Sequence, residues 1–310
     1  MCFSKSILTL FAVLIINPKL NAKEQQIIRI IILCLIPVLI YAGINVRMSG
    51  ETVSGQLLSG ARFSFCCVYL GLTYYLFSKH KQTDILVMAF LIALGFMFPT
   101  SKFFALMLVV CGVFFLTKQK KIKFGFKSVI LGTIAVGAIV LFSIDDILLY
   151  FSEDVARGAM YLTAGKILLD YFPFGSGLAS FSTPSSATYY SNTYYEYSLD
   201  KIHGLTPSKP DFVSDAFLPS MAEFGIVGLI LFILFIAYLF KRVHNCKDLS
   251  DYRIGVVILA DIIIESISDV SIIGNRGVFA MILLGYVLSS KRLDAVNTLK
   301  VAANENIVDK

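Results

Sequence analysis

The residues best suited to chemistry in water lie between Arg157 and Glu223 of this 310-residue chain. Arg157 opens the run Arg-Gly-Ala-Met and offers a fixed cation; paired with an acid three or four residues before it, Glu153 or Asp154, it would instead be a surface ion pair. Asp215 is a candidate general base for activating a hydroxyl; it equally suits the cap of a helix starting near Phe217-Leu218-Pro219. Glu223 precedes Phe-Gly-Ile-Val-Gly228 and is a candidate for direct catalysis or for fixing the helix start, with Gly225 and Gly228 allowing close approach. Tyr189, Tyr190, Tyr194, Tyr195 and Tyr197 could stack on a ligand's rings or sit at a membrane interface. Asp261, Glu265 and Asp269, four apart, share one face of a later helix; such acids face a cavity or pair with a cation such as Arg276 or Arg29.

The elements that must hold these groups are mostly hydrocarbon. Hydrophobic residues make up 57% of the chain and charged ones 15%, with mean hydropathy +0.77; soluble domains run near ~25% charged. The excess falls in nine apolar blocks, roughly 7–16, 27–44, 63–77, 85–98, 103–116, 129–144, 222–240, 254–267 and 278–288. Most are shorter than the ~20 residues that cross a bilayer, so flanking residues must extend them. The chain therefore reads as an all-α, polytopic integral membrane protein of about nine transmembrane helices. It divides into N-terminal helices over 1–144, an extracytoplasmic loop domain over 145–221, C-terminal helices over 222–290 and a cytoplasmic tail over 291–310. The first block, with Lys5 before it and Asn21-Ala22 after, has the shape of a signal peptide; a short first span is preferred, because cleavage would invert everything downstream.

Lysine and arginine set the orientation. Alternate links carry Lys19 and Lys23; Lys79 and Lys81; five lysines from Lys118 to Lys127; Lys241, Arg242, Lys247 and Arg253; and Lys291 with Arg292. These links face the cytoplasm by the positive-inside rule. The long polar segment then faces outward, as does the N-terminus, an orientation a further upstream span would explain. Within the segment, Met160, Leu162, Ile167 and Leu168 suggest a helix lying along the membrane surface, ended by Pro173, Gly175 and Gly177. Residues 183–211 read as loop.

The net charge of +6 sits in the links, so nothing calls for nucleic acid. Six cysteines without metal-like spacing are read as small hydrophobes, and His80, His203 and His244 all lie in links. No metal site and no cofactor is expected. No internal repeat is visible, which argues against a transporter built on inverted repeats.

Three motifs then carry a resemblance: the early outward arginine, Arg157; the stretch Pro173-Phe-Gly-Ser-Gly-Leu-Ala-Ser-Phe181; and Glu223-Phe-Gly-Ile-Val-Gly228 at the head of a hydrophobic block. In this order the chain resembles the O-antigen polymerase and O-antigen ligase superfamily, over roughly residues 55–290. The Pro-to-Gly gap is one residue shorter than that family's pattern, the N-terminal spans are fewer, and Thr100-Ser101-Lys102 stands where the family has Ser-Arg. Ligases carry a His-Asn pair nine residues before the glutamate; here it is Ser214-Asp215, which favours a polymerase.

The resemblance implies a glycosyltransferase of the bacterial inner membrane that polymerises undecaprenyl-diphosphate-linked repeat units into O-antigen or capsular polysaccharide. A ligase to a lipid core and a non-enzymatic glycolipid transporter are the alternatives. The implied partners are the lipid-linked oligosaccharide, the bilayer, a chain-length regulator and a flippase. Arg157, Asp215 and Glu223 become the catalytic candidates. Arg62, Lys102 and Arg276, at outward span ends, and Tyr194 and Tyr195 become substrate-binding candidates, with cations to stabilise the departing diphosphate in place of a metal.

Overall fold

The computed structural model describes residues 2–49, 60–78, 82–98, 100–117 and 155–289. The block at 129–144, the lysines from 118 to 127, Glu153, Asp154 and the tail from 291 lie outside them. The described residues form helices and turns, with a single isolated bridge between Thr206 and Lys209 and no strand. The chain is all-α over this range.

Each of the eight described apolar blocks forms a helix: α1 (Cys2–Ile16), α2 (Ala22–Ser49), α3 (Gly60–Leu76), α4 (Gln82–Leu94, prolonged by a 3-10 turn, Gly95–Met97), α5 (Ser101–Leu116), α9 (Gly225–His244), α10 (Leu249–Ser268) and α11 (Asn275–Ser289). Between α5 and α9 stand α6 (Ala156–Asp170), two five-residue helices, α7 (Pro184–Thr188) and α8 (Asn192–Glu196), and a 3-10 helix, Leu218–Glu223. Ala22–Asn45 of α2 and the whole of α9 are long and apolar enough to cross a membrane, with only 17% and 11% of their most apolar stretches buried. A soluble core helix hides its apolar surface; these two expose it.

The fold divides into two compact units. One gathers the start of α1, residues 155–241 and the stretch from Leu259 to Phe279. The other holds most of α1, α2 to α5, residues 242–258 and the rest of α11. In the second unit Phe63, Cys67 and Tyr74 of α3 pack with Ile32 and Leu39 of α2 and Leu91 of α4. Asp84 of α4 pairs with Arg29 at 2.9 Å, and the Tyr74 hydroxyl accepts from the same guanidinium. Arg253 donates to Thr117 Oγ1, the Thr117 carbonyl and the Tyr75 hydroxyl, fastening the start of α10 to the ends of α3 and α5.

In the first unit α6 is the central post. Ala156, Ala159, Met160, Thr163, Ala164 and Ile167 form its buried stripe at helical spacing. They pack against Phe181, Tyr194, Leu199, Leu205, Val213 and Ala222. This corrects the expectation of a helix laid on the bilayer: the stripe is used up inside a folded unit. It also corrects the loop reading of 183–211. Thr183 and Ser186 form a reciprocal capping box with Pro184 at the first position of α7, and Ser191 caps α8, so Ser and Thr here close short helices.

Candidate functional site

The site begins with a backbone clamp. Gly175 and Gly225 both take left-handed φ, +79° and +65°. A Cβ on Gly175 would overlap the Ala222 carbonyl and the Gly225 nitrogen; one on Gly225 would overlap the Pro173 carbonyl and the Gly175 nitrogen. Only glycine meets both demands at once. The contact lets Ser176 N donate to Ala222 O at 3.2 Å, Gly177 N to Glu223 O at 3.1 Å and Val227 N to Pro173 O at 3.3 Å. The two glycine motifs, far apart in sequence, are thus one interlocked piece at the head of α9.

Glu223 locks that piece from inside. It is 4% exposed. Its Oε1 accepts from Phe181 N and Thr183 Oγ1, each at 2.9 Å, and the amides of Ala179 and Ser180 also point to the carboxylate. Burial raises its pKa above the usual glutamate value, and these donors pull the other way. Glu223 therefore organises the turn after Gly177; its functional oxygens are turned to backbone.

Phe181, fully buried, stacks on Tyr194 with ring centroids 5.8 Å apart. The Tyr194 hydroxyl accepts from Ser182 N at 2.9 Å and shares a 2.8 Å bond with Ser186 Oγ, and burial pushes its pKa up to about 12. Tyr194 is a core residue with no face left for a sugar, which corrects its assignment to substrate. Tyr195 is half exposed and packs T-shaped with Tyr190 at 5.2 Å between ring centroids, so part of its ring remains open to solvent.

Arg157 stands in the first turn of α6, where the buried neighbours Ala156, Gly158 and Ala159 fix its direction. Its Nε and Nη2 both reach Asp215 Oδ2. The two side chains are 29% and 31% exposed. Asp215 caps nothing: the 3-10 helix that follows has Phe217 at its N-cap, without a side-chain bond. Instead it is the counter-ion of Arg157, 58 residues away. Among the described residues nothing donates to Asp215 Oδ1, so one oxygen holds the guanidinium while the other is left to accept a proton.

A second ion cluster lies where α10 ends. Arg276 Nη2 meets both Asp269 oxygens at 2.7 Å, and Nη1 meets Glu265 Oε2 at 3.1 Å. Phe217 N donates to the Asp269 carbonyl at 3.2 Å, so two residues of chain join Asp215 to this cluster. Tyr161, one turn after Arg157 on α6, donates to the Ile267 carbonyl. Arg276, expected to bind substrate, is placed by the structure against Glu265 of α10 and Asp269 just beyond it.

Arg62 and Lys102 belong to the second unit, in the first turns of α3 and α5. Arg62 is exposed and Lys102 half-buried, two residues past the N-cap Thr100, whose hydroxyl accepts from Phe103 N. Among the described residues no group of three or more His, Cys, Asp or Glu is placed to hold a metal ion. The Arg157–Asp215 pair was not legible as a pair in the sequence, since no periodicity links positions so distant. No family model, curated protein or solved structure matches this chain.

Proposed function

We propose that this protein is a multi-pass membrane glycosyltransferase of the bacterial inner membrane that polymerises undecaprenyl-diphosphate-linked repeat units into O-antigen or capsular polysaccharide. One observation carries the reading: the motifs that resemble the polymerase family, Pro173 to Phe181 and Glu223 to Gly228, interlock through Gly175 and Gly225, and the same unit sets Arg157 against Asp215. The exposed apolar surface of α2 and α9 supports a bilayer as the surroundings.

In the reaction, an acceptor sugar hydroxyl attacks the anomeric carbon of the donor glycan. The bond from that carbon to the diphosphate oxygen breaks, and the electron pair leaves with the diphosphate. Arg157 is suited to the leaving group, because a guanidinium fork matches phosphate oxygens and neutralises the charge that develops there. Asp215 is suited to take the hydroxyl proton on Oδ1. Glu223 acts through the Ala179–Thr183 turn and Tyr195 offers a partly open ring.

The buried acids of α10 with Arg276 favour a second reading, a glycolipid transporter with a proton path. Surface-glycan length in a deletion strain separates these readings. Loss of a polymerase leaves a single repeat unit on the core, which is the expected result. Loss of a ligase leaves none, and loss of a transporter blocks export.

A further inference from the structure

Four large apolar side chains crowd the turn between α6 and the clamp. Leu169, Phe172, Phe174 and Leu178 are each 66% to 76% exposed. Scattered exposed apolar residues need no explanation, but four within ten residues form a patch of the kind that marks a binding surface. The polar residues beside them bond one another: the Tyr171 hydroxyl bonds Glu196, and the Tyr197 hydroxyl bonds Asp170 at 2.7 Å. The finger thus pairs its polar groups with one another and leaves its large apolar side chains bare.

The clamp determines where this finger sits. Pro173 O accepts from Val227 N, in the first turn of α9. Phe172 and Phe174 are thus held beside the point where α9 begins. Along α9 the exposed apolar face continues through Val227, Ile230, Leu231 and Leu234. The patch is continuous with the surface of a helix long and apolar enough to cross a membrane.

We infer that residues 169–178 form an interfacial anchor, with Phe172, Phe174 and Leu178 inserted among the upper acyl chains of the outer leaflet. The inference rests on the membrane reading of α9. Phenylalanine and leucine on a short turn add buried apolar area at the acyl boundary, and the Gly175–Gly225 contact fixes the anchor to the span without a hinge. Its consequence is positional: the turn organised by Glu223 is held at headgroup depth, where a lipid-borne diphosphate resides.

The chain contains no tryptophan, so a single introduced indole reports alone. Phe174→Trp, Leu178→Trp, Leu234→Trp and Tyr189→Trp would each be placed in vesicles whose lipids carry bromine either high or deep on the acyl chain. Leu234 lies about 14 Å along α9 from Gly225, near the middle of a ~30 Å hydrocarbon core. The expected result is that indoles at 174 and 178 emit to the blue and lose emission mainly to shallow bromines, the indole at 234 to deep ones, and the indole at 189, on an 86% exposed side chain, to neither. Unquenched indoles at 174 and 178 with a quenched indole at 234 would overturn the anchor and leave the membrane reading standing, the patch then being covered by protein or open to water. An unquenched indole at 234 would overturn the membrane reading of α9 and the anchor with it.

Discussion

The backbone N–H of Phe181 donates to Glu223 Oε1 at 2.9 Å across 42 residues of sequence. That bond is where the two glycine motifs become one object. Oε1 also accepts from Thr183, so removing the carboxylate strands a buried amide. Glu223→Ala should cost about 1–3 kcal/mol, the usual penalty for an unsatisfied buried donor. Glu223→Gln keeps an acceptor oxygen at that position and should lose much less. Thermal unfolding in detergent measures both; equal losses would mean that the hydrogen bonds to Oε1 contribute nothing distinctive.

The same residue gives a pH signature. Burial raises the native pKa of Glu223 above its unfolded value. Between those two values the native state holds the proton more often than the unfolded chain, so its contribution to stability falls as pH rises through the window. Below the unfolded value that contribution is fully present. Melting temperature followed upward from the ordinary glutamate range should therefore decline more steeply in the natural protein than in Glu223→Gln. Identical slopes would show that Glu223 does not titrate in this window.

Gly175 and Gly225 should tolerate no side chain. Each adopts a conformation that costs an L-residue roughly 1–2 kcal/mol, and each would also drive a Cβ into backbone atoms that cannot turn aside. Gly177 has φ +93° but open space around it, so Gly177→Ala carries only the conformational cost. Folded yield and melting temperature should rank Gly177→Ala well above Gly175→Ala and Gly225→Ala. The reverse order would refute the clamp.

The apolar blocks were legible because each of the eight described ones forms a helix at its predicted place. The unit built on α6 was legible only in part. Met160 and Ile167 of its central stripe marked a helix, but the rest of the stripe is Ala156, Ala159, Thr163 and Ala164, too small to show that the face is buried, and its core borrows Tyr194 from a stretch whose Ser, Thr and Tyr content reads as loop. Four glycine positions, Gly175, Gly177, Gly225 and Gly228, and one glutamate were visible as a pattern. That Gly175 and Gly225 touch, and that Asp215 answers Arg157 rather than capping a helix, depends on long-range packing that local spacing does not encode.

Asp215 separates structure from chemistry. Its side chain is about one-third exposed, and a pair so placed contributes only ~0–1 kcal/mol to stability. Asp215→Asn should therefore leave the melting temperature nearly unchanged. A positioned general base is worth ~10²–10⁴ in rate, so the initial rate of glycan extension from lipid-linked repeat units should fall by that order. Unchanged turnover in Asp215→Asn would remove it from the reaction.

The most direct test of the central claim is the length distribution of surface glycan made by Arg157→Ala and Arg157→Lys at matched protein level. If Arg157 stabilises the departing diphosphate, losing the donor costs ~10²–10³ in rate. Arg157→Ala should then leave chiefly single repeat units. Arg157→Lys keeps the charge without the fork and should give short chains between the two extremes. Long chains of normal distribution from Arg157→Ala would contradict the account, reducing the Arg157–Asp215 pair to a surface ion pair.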